Sequence, residues 1–204
     1  LAVIHAMLST VPQEYKWIIK TMSGMSGNMD EARFELEQVI LYAEKSDFLF
    51  KDEAILAYIV LVTNFDNDIP SALNILNQSR LKPSDSPLIS YVFAHLAIKN
   101  FQNDQALGYL LTSPNSKEYY PYDYLDFLIG LSKLRRLDDD AQVYLQKFIN
   151  TNKGLHFVKE CYQKLAWAAL LKNNDKGYHH YMNLLKTSGT TVMDEDKQAQ
   201  REAI

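Results

Sequence analysis

The chain has 204 residues, 47% of them hydrophobic and 23% charged, with a formal net charge of −4. A length of this order buries about 70% of the unfolded chain's surface, which excludes a disordered polypeptide, and the negative balance argues against a nucleic-acid protein, whose phosphate contacts need a concentrated positive surface. Seven Gly and six Pro are too few for the turns of a β-sandwich or a doubly wound α/β domain, so the expected class is all-α.

In chain order, the first apolar helix is predicted over Tyr15–Met22. A turn at Ser23-Gly24-Met25-Ser26 then leads to Gly27-Asn28-Met29-Asp30-Glu31-Ala32, which opens a second helix carrying Leu36 and Val39. The same alternation recurs. Ala54–Val62 precedes Asn67-Asp68-Ile69-Pro70-Ser71-Ala72 and a helix with Ile75 and Leu76. Leu88–Ile98 precedes Asn103-Asp104-Gln105-Ala106, with Tyr109 and Leu110. Tyr124–Leu134 precedes Asp138-Asp139-Asp140-Ala141, with Tyr144, Leu145 and Phe148. Tyr162–Leu171 precedes Asn174-Asp175-Lys176-Gly177, with Tyr181 and Leu184. Apolar positions at i, i+3, i+4 and i+7 mark a helix with one buried stripe.

The small residues that open the second helices, at 32, 72, 106, 141 and 177, are separated by steps of 40, 34, 35 and 36. Asn or Asp just before each accepts hydrogen bonds from the free N–H groups of a helix start, and the small residue admits a close neighbour. Further small residues at Ala57, Ala94, Gly130 and Ala166 mark the first helices. A single hairpin cannot bury its apolar face, whereas stacked hairpins share a continuous core. The expectation is an α-α superhelix of about five antiparallel hairpins, at 12–46, 50–82, 86–113, 121–151 and 156–188, with a further helix beginning over 193–204.

The period, the small residue and the large apolar residue four positions later resemble the tetratricopeptide repeat (TPR) over about 15–188. Gly130 alone matches the repeat's glycine well, and Pro83 matches its closing proline approximately. Two stretches look like TPR-like proteins of Bacteroidetes: Tyr120-Pro121-Tyr122-Asp123-Tyr124-Leu125-Asp126 through Asp138, and Tyr162-Gln163-Lys164-Leu165-Ala166-Trp167 through Met182. In those, the Asp194-Glu195-Asp196-Lys197-Gln198-Ala199 segment leads into more repeats. Ser9–Trp17 with Gly27-Asn28 is loosely similar to a eukaryotic TPR family linked to inclusion-body clearance. The resemblance implies a binding scaffold and carries no catalytic residue, so no enzyme activity, cofactor or metal is expected.

Direct search for chemistry agrees with that expectation. His156 and Glu160 share a helix face and His179-His180 lie on the partner helix, but HExxH is absent and adjacent helical histidines diverge by about 100°. A helical metalloenzyme on these residues is the remote reading. Asp66-Asn67-Asp68 lacks the sixth-position Gly and twelfth-position Glu of a calcium loop. Lys133-Leu134-Arg135-Arg136, followed by three Asp, reads as a helix C-terminus with cations at the negative end of the dipole. Cys161 excludes an intramolecular disulfide framework and reads as a buried mid-helix residue. The longest apolar run, Ala54 to Val62, is too short for a membrane span of about 20 residues. Around Pro121, Tyr119, Tyr120, Tyr122 and Tyr124 either line a site or anchor a loop, with Pro121 starting a helix and Tyr124 and Phe127 facing core.

The function expected is protein–protein interaction on the inner surface of the stack, lined by the first helices. The candidate contact residues are Tyr91, His95, Tyr124, Phe127, Gln163 and Trp167, for a peptide or protein partner. The alternative is a structural segment of a larger array with no ligand of its own. RNA binding by helical repeats is disfavoured by the charge and by the lack of repeated polar reading positions. Leu1 without a basic leader, and Glu202-Ala203-Ile204 inside a helix-favouring stretch, suggest a fragment of a longer chain; the compartment, bacterial periplasm or cytoplasm, is left open.

Overall fold

The computed structural model describes residues 1–24 and 27–203, apart from the side chains of Ile19 and Ser23. Met25 and Ser26 of the first predicted turn, and Ile204, lie outside the described residues. All regular structure among them is helical: α1 (Ala2–Ser9), α2 (Gln13–Ser23), α3 (Met29–Lys45), α4 (Lys51–Leu61), α5 (Ile69–Gln78), α6 (Pro87–Lys99), α7 (Asn103–Leu111), α8 (Tyr124–Arg135), α9 (Ala141–Thr151), α10 (Val158–Leu171), α11 (Asp175–Thr187) and α12 (Asp194–Glu202). A π-helical turn, Val62–Asp66, extends α4. None of these helices is long and apolar enough to cross a membrane.

Packing follows chain order. Helix α4 pairs with α5, α6 with α7, α8 with α9 and α10 with α11, and α7 touches α8 as α9 touches α10. The turns explain this pairing. Asn67, Phe101, Leu137 and Asn173 all adopt the left-handed conformation, with φ of 53°, 59°, 61° and 55°. After α6, α8 and α10 the next N–H reaches back five residues: Gln102 N–H to Ala97 O (2.8 Å), Asp138 N–H to Lys133 O (2.9 Å) and Asn174 N–H to Ala169 O (3.0 Å). This bond satisfies a carbonyl left free by the helix end and reverses the chain within a few residues. After the π-turn the bond spans one residue more, from Asp68 N–H to Val62 O at 2.9 Å.

The small residues are where the helices press together. Ala32, Ala72, Ala94, Ala106, Ala141 and Ala166 are buried. A Cβ on Gly130 would lie 2.7 Å from Leu145 Cγ, the large apolar residue four positions into α9. Capping is less uniform than the sequence suggests. Asn28, Asp68 and Asn174 accept backbone N–H groups at the starts of α3, α5 and α11. Asp140, by contrast, is drawn away by Lys133 Nζ at 2.8 Å. Asn103 donates instead to Ser132 O on α8, 3.0 Å away, tying one pair to the next. The basic run ends α8 as read, with Arg136 pairing Asp104 and Asp138 at 3.3 Å.

One pairing differs. Helix α3 packs against α1 and α4, where the sequence reading gave it α2 as the first half of a hairpin at 12–46. Tyr15, Trp17 and Met22 on α2 are exposed. The apolar spacing of Tyr15–Met22 is genuine, but it is Ala2 and Ala6 of α1 that join the core around Leu36 and Ile40.

Candidate functional site

Tyr91, His95, Tyr124 and Phe127, spread over two helices, converge in one aromatic array. Tyr91 stacks on His95 with ring centroids 5.4 Å apart and meets Tyr124 at 6.0 Å. Tyr124 stacks on Phe127 at 5.4 Å and meets Phe157 at a tilt, with centroids 4.7 Å apart. Offset and edge-on geometries of this kind add to the area they bury. Tyr91 also packs against both large hydrophobic clusters, the one built on α1–α6 and the one built on α6–α10.

Burial sets the chemistry of the array. It holds His95 down at about 4, helped by Lys99, so the imidazole is neutral at pH 7. Its Nε2 lies 3.1 Å from Asn64 Oδ1, consistent with donation from the Nε2–H tautomer. Burial also pushes the Tyr91 hydroxyl up and raises Tyr122 to about 12 and Tyr124 further still. The array is an uncharged apolar surface with hydroxyl tips.

Two of the six candidates are buried. Phe127 is 1% exposed and lies inside the core against Phe148. Gln163 is 3% exposed. Its amide donates to Glu202 Oε2 of α12, and Lys164 donates to its Oε1 at 2.9 Å. Trp167, one turn on and 36% exposed, donates through Nε1 to the other oxygen of Glu202 at 2.8 Å and lies under Lys164 Nζ at 4.0 Å. Helix α12 thus occupies the face of α10 on which Gln163 and Trp167 were expected to meet a ligand. Tyr91, His95 and Tyr124 remain half-buried.

Helix α12 is held at its first turn by Asp196, a fully buried carboxylate accepting Phe157 N–H at 2.7 Å and Glu160 N–H at 3.0 Å. A carboxylate at a helix start satisfies orphan donors and suits the positive end of the dipole. Beside it, Lys159 is buried and donates to Leu185 O at 2.8 Å, at the C-terminal end of α11. Glu160 is buried too, and burial pushes its carboxyl above the usual range, partly offset by Lys164 at 3.7 Å.

The tyrosine segment forms an open recess of about 720 Å³, bounded by Pro87, Leu111, Tyr120, Tyr122, Tyr144 and Lys147. Tyr119 anchors the loop, its hydroxyl donating to Asp85 O at 3.0 Å. Tyr120, expected to share that anchoring, is 91% exposed. Pro121 precedes α8 by three residues, so Asp123 and not the proline leads into the helix. Lys147 pairs with Asp126 at 2.9 Å across the floor, leaving the recess close to neutral. Only the pairing of loop with helix surface shows the recess; in the sequence it is a cluster of tyrosines.

His156, Glu160 and His179 do not gather: among the described residues the one group of three or more metal-ligating side chains lies elsewhere, at His5, Glu31 and Glu35. Burial pushes the Cys161 thiol well up, which makes it a poor nucleophile. No family model, curated protein or solved structure matches the chain.

Proposed function

We propose that the chain is a TPR-like α-solenoid whose role is to bind a protein or peptide partner, with no chemistry of its own. The observation that carries this reading is the aromatic array on the first-helix face, where Tyr91, His95 and Tyr124 converge and stay half-buried beside the part of α10 that α12 occupies. The four left-handed turns at 67, 101, 137 and 173, stepping by 34, 36 and 36, support a repeat whose first helices share that side. The recess at Tyr120 offers an aromatic pocket of ligand-binding size.

Site-specific photo-crosslinking in the host tests the proposal. A benzophenone residue replacing Tyr120 or Tyr91 gives adducts to one discrete partner protein, whereas replacing the exposed Val143 on α9 gives none. Equal labelling from all three positions overturns the reading.

The structural-segment alternative draws on α12, which sits against α10 and α11 as the first helix of a further pair would. It expects adducts only within the chain's own longer polypeptide.

A further inference from the structure

We infer that His5, Glu31 and Glu35 form a binding site for a divalent transition-metal ion, of the Zn²⁺ type, that pins α1 to α3. Glu31 and Glu35 are one turn apart on α3 and so share a face. His5 comes from α1, packed against it. One ligand atom from each of the three lies within 4.8 Å of the others, and His5 Nδ1 is 3.1 Å from Glu35 Oε2. Ions bound by nitrogen and oxygen at 2.0–2.2 Å hold neighbouring ligand atoms roughly 3–3.5 Å apart. The His5–Glu35 separation already meets that spacing, and a rotamer adjustment of the exposed Glu31 completes it.

Two further observations favour an ion over a plain His–Glu contact. Two carboxylates at i, i+4 repel one another, and among the described residues no Lys or Arg pairs with either. The nearby guanidinium, Arg33, is turned to Glu37, Asp66 and Asp68. His5 is also the one titratable side chain of α1, an otherwise largely apolar helix. Its side chain is only 12% exposed and is directed at the acidic pair. Imidazole with carboxylate suits Zn²⁺ and its first-row neighbours better than Mg²⁺ or Ca²⁺, which prefer all-oxygen sets. Three protein ligands leave positions for water. The ion would thus join a short helix, held otherwise by two alanines, to the rest of the fold. His5 and Glu31 are 26 positions apart, so no short motif announces the set.

The test is calorimetric titration of the full chain with ZnCl₂ at pH 7.5, with Co²⁺ absorption as a spectroscopic check. One equivalent of Zn²⁺ is expected to bind and to raise Tm, with Mg²⁺ giving no shift. His5→Ala and Glu31→Gln each weaken Zn²⁺ at least tenfold and remove the Co²⁺ bands, while His179→Ala leaves both unchanged. Glu31 is exposed, so its variant folds and keeps the test decisive. Absence of Zn²⁺ binding by the unaltered chain, or binding that survives both His5→Ala and Glu31→Gln, overturns the assignment.

Discussion

The two halves of the molecule are built from the same sequence device and hold together differently. From α6 to α11 the hairpins repeat closely: the same left-handed turn, the same five-residue reach-back bond, small residues at the helix contacts and a shared aromatic interior. From α1 to α5 the step between small residues lengthens to 40, and a π-turn takes up extra length. There Arg33 gathers Glu37, Asp66 and Asp68 and donates to Ser71 at 3.0 Å, while Tyr58 donates to Glu37 at 3.0 Å. Burial would lower the pKa of Arg33, but its carboxylate partners raise it on balance. Where the repeat is regular, an aromatic interior is tied by separate hydrogen bonds and ion pairs such as Asn103 to Ser132 O and Arg136 to Asp104; where it is stretched, one polar network centred on Arg33 bridges the irregularity.

The sharpest way to break this contrast is at the centre of the regular half. Phe127→Ala removes a fully buried ring and is expected to cost about 4 kcal/mol in urea or guanidinium unfolding, with little dependence on salt. A cost below about 1 kcal/mol would mean that the interior is loosely packed there.

Next in size is the acid response of the aromatic array. His95 is held at about 4 against 6.5 when unfolded, so the unfolded chain binds more protons between those values. Stability contributed by the neutral imidazole is complete above pH 6.5 and is lost as pH falls towards 4, by up to about 3 kcal/mol. Unfolding midpoints measured from pH 7 to pH 4 should flatten in His95→Gln by that amount; an unchanged slope would refute the burial argument.

In the irregular half, Arg33→Met is expected to cost about 1–2 kcal/mol and to lose most of that penalty when the comparison is repeated in 0.5 M salt, because the network is partly exposed. A salt-independent penalty would assign the role of Arg33 to its guanidinium over the Tyr58 ring, 5.9 Å from the centroid, instead. The smallest effect is a gain. Leu137 is exposed and left-handed at φ 61°, a conformation that costs a non-glycine residue roughly 1–2 kcal/mol. Part of that gain is offset by the greater unfolded-state freedom of glycine. Leu137→Gly should therefore raise stability by about 0.5 kcal/mol, read as a rise in Tm.

Much of the helical order was legible because it is a local matter. Apolar residues at helical spacing, the scarcity of Gly and Pro, and Asn or Asp ahead of a small residue state where helices start, stop and turn. The recurrence of Ala106, Ala141 and Gly177 near 35-residue steps marks α7, α9 and α11. The left-handed Phe101 and Leu137 were not legible, since neither residue favours that conformation. The five-residue hydrogen bond and the helices it joins enforce it.

The site was less legible for a related reason. Helical spacing says which residues share a face but not what covers that face. Gln163 and Trp167 look like surface residues on a lone α10; with α12 in place both bind Glu202, Gln163 buried and Trp167 still partly exposed. Tyr91 reads as a contact residue on the inner surface, yet it packs against both hydrophobic clusters. Periodicity in the sequence set the class, the helices and the rhythm of the turns, since those depend on neighbours within a few positions. Tertiary structure decided that α1 and not α2 meets α3, that α12 covers α10, and that His5 faces Glu31 and Glu35, since each depends on which distant surface wins the contact.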